Sequence, residues 1–297
     1  VNILLYLTTV LIWSTTWLAI TYQIGEVDPM VSVCYRFGSA AFLLLSYCRA
    51  AGHRLRFSLR EHRDMAVQGV FLFSVSYWLV YLAEQYLTSG LVAVLFSLLV
   101  SLNSLNGFLI LRSPVRRPVL AGGLLGLLGL GLIFWPEIEA FRWSDRELRG
   151  LALGMLSVTI ASVGNILSAR NQRRRLPVLQ TNAFSMAYGT LVLLGLALLL
   201  DKPFGFHVSV AYVGSLLYLS LFGSILAFGA YLTLLGRVGA DRAAYVTLIT
   251  PVMALLVSTI FEGYSWPVHA MLGVPMVLAG NLLILRNRFS LLRIHRR

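Results

Sequence analysis

The 297-residue sequence is short of what a water-soluble domain needs at its surface: 12% of its residues are charged, and 58% are hydrophobic. A soluble globular chain carries roughly 25% charged residues, so a single soluble domain is excluded and an integral membrane protein is indicated. Lysine occurs once, as Lys202 in a loop. Cysteine occurs twice; Cys34 and Cys48 fall in one predicted helix about 21 Å apart, too far to pair, and they leave the redox compartment open. No Asp, Glu or His is placed near the middle of an apolar segment, so the ionisable relay usual in proton-coupled transport is missing. No strand precedes a glycine-rich stretch, and "AGGLLGLLGLGL" at 121–132 reads as a helix-packing or dimer face rather than a phosphate loop.

What is present is a succession of apolar windows long enough to cross about 30 Å of hydrocarbon. Ten spans are predicted, at 3–20, 30–48, 65–83, 89–111, 118–135, 150–169, 178–200, 210–233, 243–261 and 267–286. The first runs into polar "TYQIGEVDP" without a small-residue cleavage site and is expected to be a mature span.

The formal charge of +12 is distributed, not clustered. Basic segments ("RAAGHRLRFSLREHRD", "RSPVRRP", "RNQRRRLP", "GRVGADR", "RNRFSLLRIHRR") alternate along the chain with "GEVDP", "EQYLT", "PEIEAFRWSDRELR", "DKPFGFH" and "FEGYSWP". The positive-inside rule then sets an even number of spans with both termini cytoplasmic. The arginine runs read as orientation signals and lipid-headgroup contacts, and nucleic-acid binding is not expected.

Offset by about 150 residues, the chain lays Tyr81 on Tyr231, Ala93 on Ala243, Leu98 on Leu248, Ile110 on Ile260 and Gly123 on Gly273. Five spans per half is odd, so the second half enters the membrane from the other side. The expected fold is all-α, with ten transmembrane helices as two inverted five-helix repeats: 1–135 and 149–286, a periplasmic linker at 136–148 and a basic cytoplasmic tail at 287–297. Inverted repeats characterise secondary transporters that rock around a midplane site, and a non-transporting scaffold or sensor is the alternative of another class.

The run "LITPVMALLVSTIFEGYSW" at 248–266 and "LGVPMVLAGNLLI" at 272–284 resemble the ninth and tenth helices of the drug/metabolite transporter superfamily, EamA branch, with Pro251, Glu262, Gly273 and Gly280 in the matching places. "LIWSTTWLAI" at 11–20 and "VDPMVSVCYRFGSAAFLLL" at 27–45, which holds Arg36, resemble its first and second helices. The chain departs from the pattern at Ser101, Arg112 and Thr21. The resemblance implies ten helices, export of a small metabolite and a bacterial inner membrane, with amino-acid exporters among the relatives.

Site candidates follow from depth. Arg36 lies about 9 Å into its helix. It is assigned as a structural charge, paired with Glu26, Asp28 or a backbone carbonyl; a substrate carboxylate is the alternative. Glu84, Glu262 and Asp241 are expected as interfacial caps or loop charges. In "SYWLVYLAEQY" (76–86), Tyr86 and Trp78 fit an interfacial belt, but Tyr77 lies about 18 Å deep with Tyr81 one turn on. Trp13 and Trp17 share one face of the first helix at similar depth. Rings this deep need partners for their N–H and O–H groups, either through helix packing or around a cavity that stacks an apolar solute. The expected substrate-binding set is Trp13, Trp17, Tyr77, Tyr81, Ser97, Asn103, Asn165, Tyr231 and Tyr245, with Pro251 as hinge. No cofactor and no metal are expected, the substrate and membrane lipids are the partners, and the oligomeric state is left open, a monomer being compatible with the sequence. Efflux of lipophilic or cationic drugs is the second transport reading. Catalysis is not expected, because no base stands beside the intramembrane serines.

Overall fold

A computed structural model of the protein describes residues 2–115, 117–141, 144–261 and 266–291. Glu262 and residues 292–297 of the tail lie outside them. The long helices are α1 (Asn2–Thr21), α2 (Pro29–Ala50), α3 (Leu59–Ala83), α4 (Ser89–Leu111), α5 (Arg117–Ile133), α6 (Asp145–Arg173), α7 (Val178–Leu199), α8 (Val210–Val238), α9 (Val246–Phe261) and α10 (Val268–Leu291). Seven of them, α1 to α4 and α6 to α8, are long and apolar enough to cross a membrane; α5 and the Val268–Gly280 part of α10 are apolar but shorter. The described residues contain no strand. The chain is therefore an all-α integral membrane protein.

Several helices start before their apolar windows because polar side chains cap them. Ser58 and Glu61 form a reciprocal capping box, so α3 begins at Leu59 and not at the predicted 65. Ser144 accepts from the backbone N–H of Glu147, and α6 begins at Asp145 and runs to Arg173, beyond the predicted 150–169. The polarity of the bundle is inverted relative to a soluble protein. On α1, Ile3, Leu4, Leu11 and Leu18 point outward while Thr9, Ser14 and Thr16 are buried. In hydrocarbon, polar side chains must find partners inside the bundle.

Close backbone approach is achieved through glycine. A Cβ on Gly129 would lie 2.7 Å from the Gly273 carbonyl oxygen, and one on Gly280 2.5 Å from that of Gly122, so α5 and α10 run antiparallel in direct backbone contact. Gly69 and Gly189 do the same for α3 and α7. The regular helix is interrupted in two places by π-helical turns, Val70–Val75 in α3 and Leu219–Leu226 in α8. Such turns, bonded i→i+5, are rare and occur often at functional sites.

The ends of the helices form two chemically distinct faces. On one, Asp64 at the start of α3 is buried and pairs with Arg170 (3.3 Å) and Arg174 at the end of α6, while Arg237 reaches Asn2. On the other, Lys202 pairs with Asp28 (3.2 Å) and His207 with Glu26 (3.2 Å).

Candidate aromatic cavity and vestibule

The π-helical turn of α8 sets one wall of a central cavity. Within it the carbonyl of Gly223 accepts from the Trp13 indole N–H (3.4 Å), and the hydroxyl of Ser224 beside it accepts from Nε of Arg36 (3.0 Å). Thus α1 and α2 are both tied to α8 by atoms of the turn. Trp13 packs against Tyr231 (ring centroids 4.9 Å apart) and Phe228 (5.1 Å), Trp17 against Phe96 (5.2 Å), and Tyr77 against Phe37 (4.9 Å). The cavity between them is lined by Trp13, Trp17, Tyr77, Phe96, Phe228 and Tyr231, with Thr16, Arg36, Asn165, Thr247 and Thr250 as its polar members. Its open volume is about 50 Å³. An engineered cavity of roughly 150 Å³ is what holds a benzene ring, so the rings are drawn together here around a space smaller than one ring.

Arg36 is 1% exposed. Its guanidinium carbon sits 4.7 Å from the centroid of the Tyr77 ring and 5.1 Å from that of Phe37, held by cation–π attraction. Among the described residues Nη1 has no acceptor. The carboxylates expected to pair with it are occupied at the loop face, Asp28 by Lys202 and Glu26 by His207. Asn165 donates through Nδ2 to the Tyr231 hydroxyl (3.1 Å) and leaves Oδ1 buried without a donor.

A second, larger space of about 480 Å³ opens toward the face of Asp64 and Arg237. The same three helices line both spaces: Leu99, Asn165 and Tyr231 face the cavity, and Asn103, Ile166 and Leu235 face this vestibule. On α4 and α8 the two sets lie one helical turn apart, and on α6 they are neighbouring residues.

The structure brings Trp13, Trp17, Tyr77, Asn165 and Tyr231 together in the cavity. Asn103 lies instead on the vestibule wall, where Nδ2 donates to the Ala240 carbonyl (3.0 Å). Tyr81 is fully buried behind the cavity and donates to Oε1 of Gln23 (2.8 Å). Tyr245 donates to the Val119 carbonyl (2.6 Å), and its ring packs between helices. Ser97 has a backbone role. Pro251 lacks the N–H that would bind the carbonyl of Thr247, and the Ser97 hydroxyl donates to that carbonyl instead (3.0 Å).

Glu84 requires a correction. Expected at the interface, it is 9% exposed, with neither carboxylate oxygen bonded. The turn after α3 is covered by α6, whose Gly150 lets the backbone close onto Tyr86 and Leu87. Burial pushes the Glu84 carboxyl well above the usual carboxylate range, and the charge of Arg36 pulls it back.

Comparison with known proteins places this architecture. The EamA-like transporter family matches residues 1–135 and 148–286, most of the chain. The protein belongs to that family. As an EamA-family chain it is similar to Protein PagO of Salmonella typhimurium, 23% identical over 95% of this chain and 92% of that protein. It is also similar to the uncharacterized inner membrane transporter YedA of Escherichia coli K12, 28% identical over 84% of this chain and 79% of that protein. A solved crystal structure, 19% identical, superposes with a TM-score of 0.77 over 97% of this chain and 98% of its own, which establishes the fold. Within this family member, Phe96, Phe228, Thr16, Thr247 and Thr250 are among the cavity residues that the sequence expectation did not include. The i,i+3 spacing of Phe228 and Tyr231 on one helix was the available signal for the first two turns of α8 beyond the π segment.

Proposed function

We propose that this EamA-family transporter exports small neutral metabolites, foremost amino acids with aromatic or hydrophobic side chains, by alternating access across a bacterial inner membrane. The observation that carries the reading is the central cavity, six rings with a few uncharged polar groups and one buried arginine. Ring faces stack apolar side chains, and placed polar groups fix orientation. The ten-span, two-repeat reading has its own support. The π-helical turns fall at Val70–Val75 and Leu219–Leu226, about one repeat apart, and the Ser97–Thr247 bond joins residues separated by 150 positions. With 1–135 and 149–286 as the repeats and both termini cytoplasmic, the vestibule opens to the cytoplasm and the cavity is the contracted site beyond it.

Movement is taken as facilitative, because Glu84 is not part of the cavity lining. Arg36 weighs against the drug-efflux reading, since a buried guanidinium repels a lipophilic cation. The test is efflux of radiolabelled Trp, Phe, Leu, Glu and a lipophilic cation from proteoliposomes loaded inside. Saturable flux of Trp and Phe that does not depend on a pH gradient is expected. Flux of the cation alone contradicts the reading.

A further inference from the structure

Two of the polar groups in the cavity have opposite and unused hydrogen-bonding capacity. Arg36 presents Nη1 without an acceptor, although Nε is held by Ser224 and the plane is held against Tyr77. Asn165 presents Oδ1 without a donor, although Nδ2 is held by Tyr231. Both residues are buried to within 2% and both line the same cavity. Among the described residues Arg36 has no ion pair. Glu84, whose carboxyl feels the charge of Arg36, makes no ion pair with it and is not part of the cavity lining, so on the cavity side the guanidinium has no counter-charge, which is costly unless something of opposite sign completes it. The guanidinium's geometry is fixed from two sides before any ligand arrives, which is how a site is pre-organised.

We propose that Arg36 binds the carboxylate of the transported solute through Nη1 and that Asn165 accepts from its amino group, so that the cavity recognises a zwitterion whose side chain lies among Trp13, Phe228 and Tyr231. This deepens the amino-acid reading above and rests on it. Nη1 is the fixed donor, and a planar guanidinium suits a carboxylate better than an ammonium does. The rings around it exclude water, which strengthens the contact. Arg36 is thus a specificity-determining residue in addition to its structural bond to Ser224.

The experiment uses full-length protein in proteoliposomes and measures inhibition of labelled tryptophan efflux by tryptophan, tryptophan amide, tryptamine and indole-3-propionate, with leucine and leucinamide as a ring-free pair assayed by their own flux. In the wild type the compounds without a carboxylate are expected to be weaker by about ten- to a hundredfold, the range of a hydrogen bond to a charged group. Indole-3-propionate, which keeps the carboxylate and lacks the amine, is expected to lose less. Arg36→Gln is expected to abolish the difference between tryptophan and its amide, and Arg36→Lys to retain part of it. Wild-type protein that treats acid and amide alike overturns the assignment, and this arm does not depend on a variant folding. An undiminished gap in Arg36→Gln overturns it as well. If no indole compound moves but leucine is preferred to leucinamide, the aromatic reading fails and the Arg36 assignment stands; saturable tryptophan flux without carboxylate preference is the reverse.

Discussion

Single side chains carry both the clearest and the most hidden information in this chain. Glu84 has a carboxyl held up by burial, so it is favoured in its neutral form in the folded state. A group raised above its unfolded value contributes stability that is fully present below the ordinary carboxylate range and is lost as pH rises through the folded value. Glu84→Gln, which cannot ionise, is therefore expected to raise the melting temperature relative to the wild type more at about pH 8 than at about pH 5, near the unfolded carboxylate value. Equal shifts at the two pH values, measured by thermal unfolding in detergent, would sink this account. Trp13, Trp17, Tyr77, Asn165 and Tyr231 were legible because a polar ring edge or amide deep in an apolar helix demands a partner. Phe96 and Phe228 carry no such mark; a deep phenylalanine looks like any lipid-facing residue until the packing is known. Glu84 was misread because its turn looks like a surface loop in sequence, and only α6 packing over it removes it from water.

At the level of helices, α9 is joined to α4 by the consequence of one proline. Pro251 frees the Thr247 carbonyl, and Ser97 is its substitute donor. Ser97→Ala leaves a buried acceptor unpaired and is expected to cost about 1–3 kcal/mol of stability. Pro251→Ala in the same background restores a helical N–H and is expected to recover most of it. A double variant as unstable as Ser97→Ala alone would show that the bond is not what matters. The apolar helices themselves were legible from window length and charge, and their ends were misplaced by several residues because the capping residues Ser58 and Ser144 lie outside the apolar windows. The π-helical turns had no signature in composition. In α8 the turn is contacted from two sides, Trp13 donating to the Gly223 carbonyl and Arg36 to the Ser224 hydroxyl.

For the whole molecule, the proposed permeation route joins the two spaces across the residues that separate them. If the face of Asp64 and Arg237 is cytoplasmic, Thr233→Cys, on the vestibule wall, is expected to react with a membrane-impermeant thiol reagent applied from the cytoplasmic side, and Thr16→Cys, in the cavity, much more slowly. Native Cys34 and Cys48 are buried and give little background. Faster labelling of Thr233→Cys from the opposite side would reverse the assigned orientation. The expected orientation rests on the alternation of basic and acidic loops, whereas the contracted state of the cavity is a property of packed rings that no pattern of residues encodes.

The account turns on the rings of the cavity being the permeation site, and tryptophan efflux in three variants tests that most directly. Trp17→Leu and Phe228→Leu alter cavity walls, and Tyr245→Phe removes the hydroxyl of a ring that only packs between helices. Efflux reduced at least about tenfold in the first two, as expected when a stacking contact of roughly 1 kcal/mol or more is lost along with the shape of the site, and near wild type in the third, is the predicted result. Efflux that is unchanged in Trp17→Leu and Phe228→Leu, with the proteins correctly folded, would contradict it.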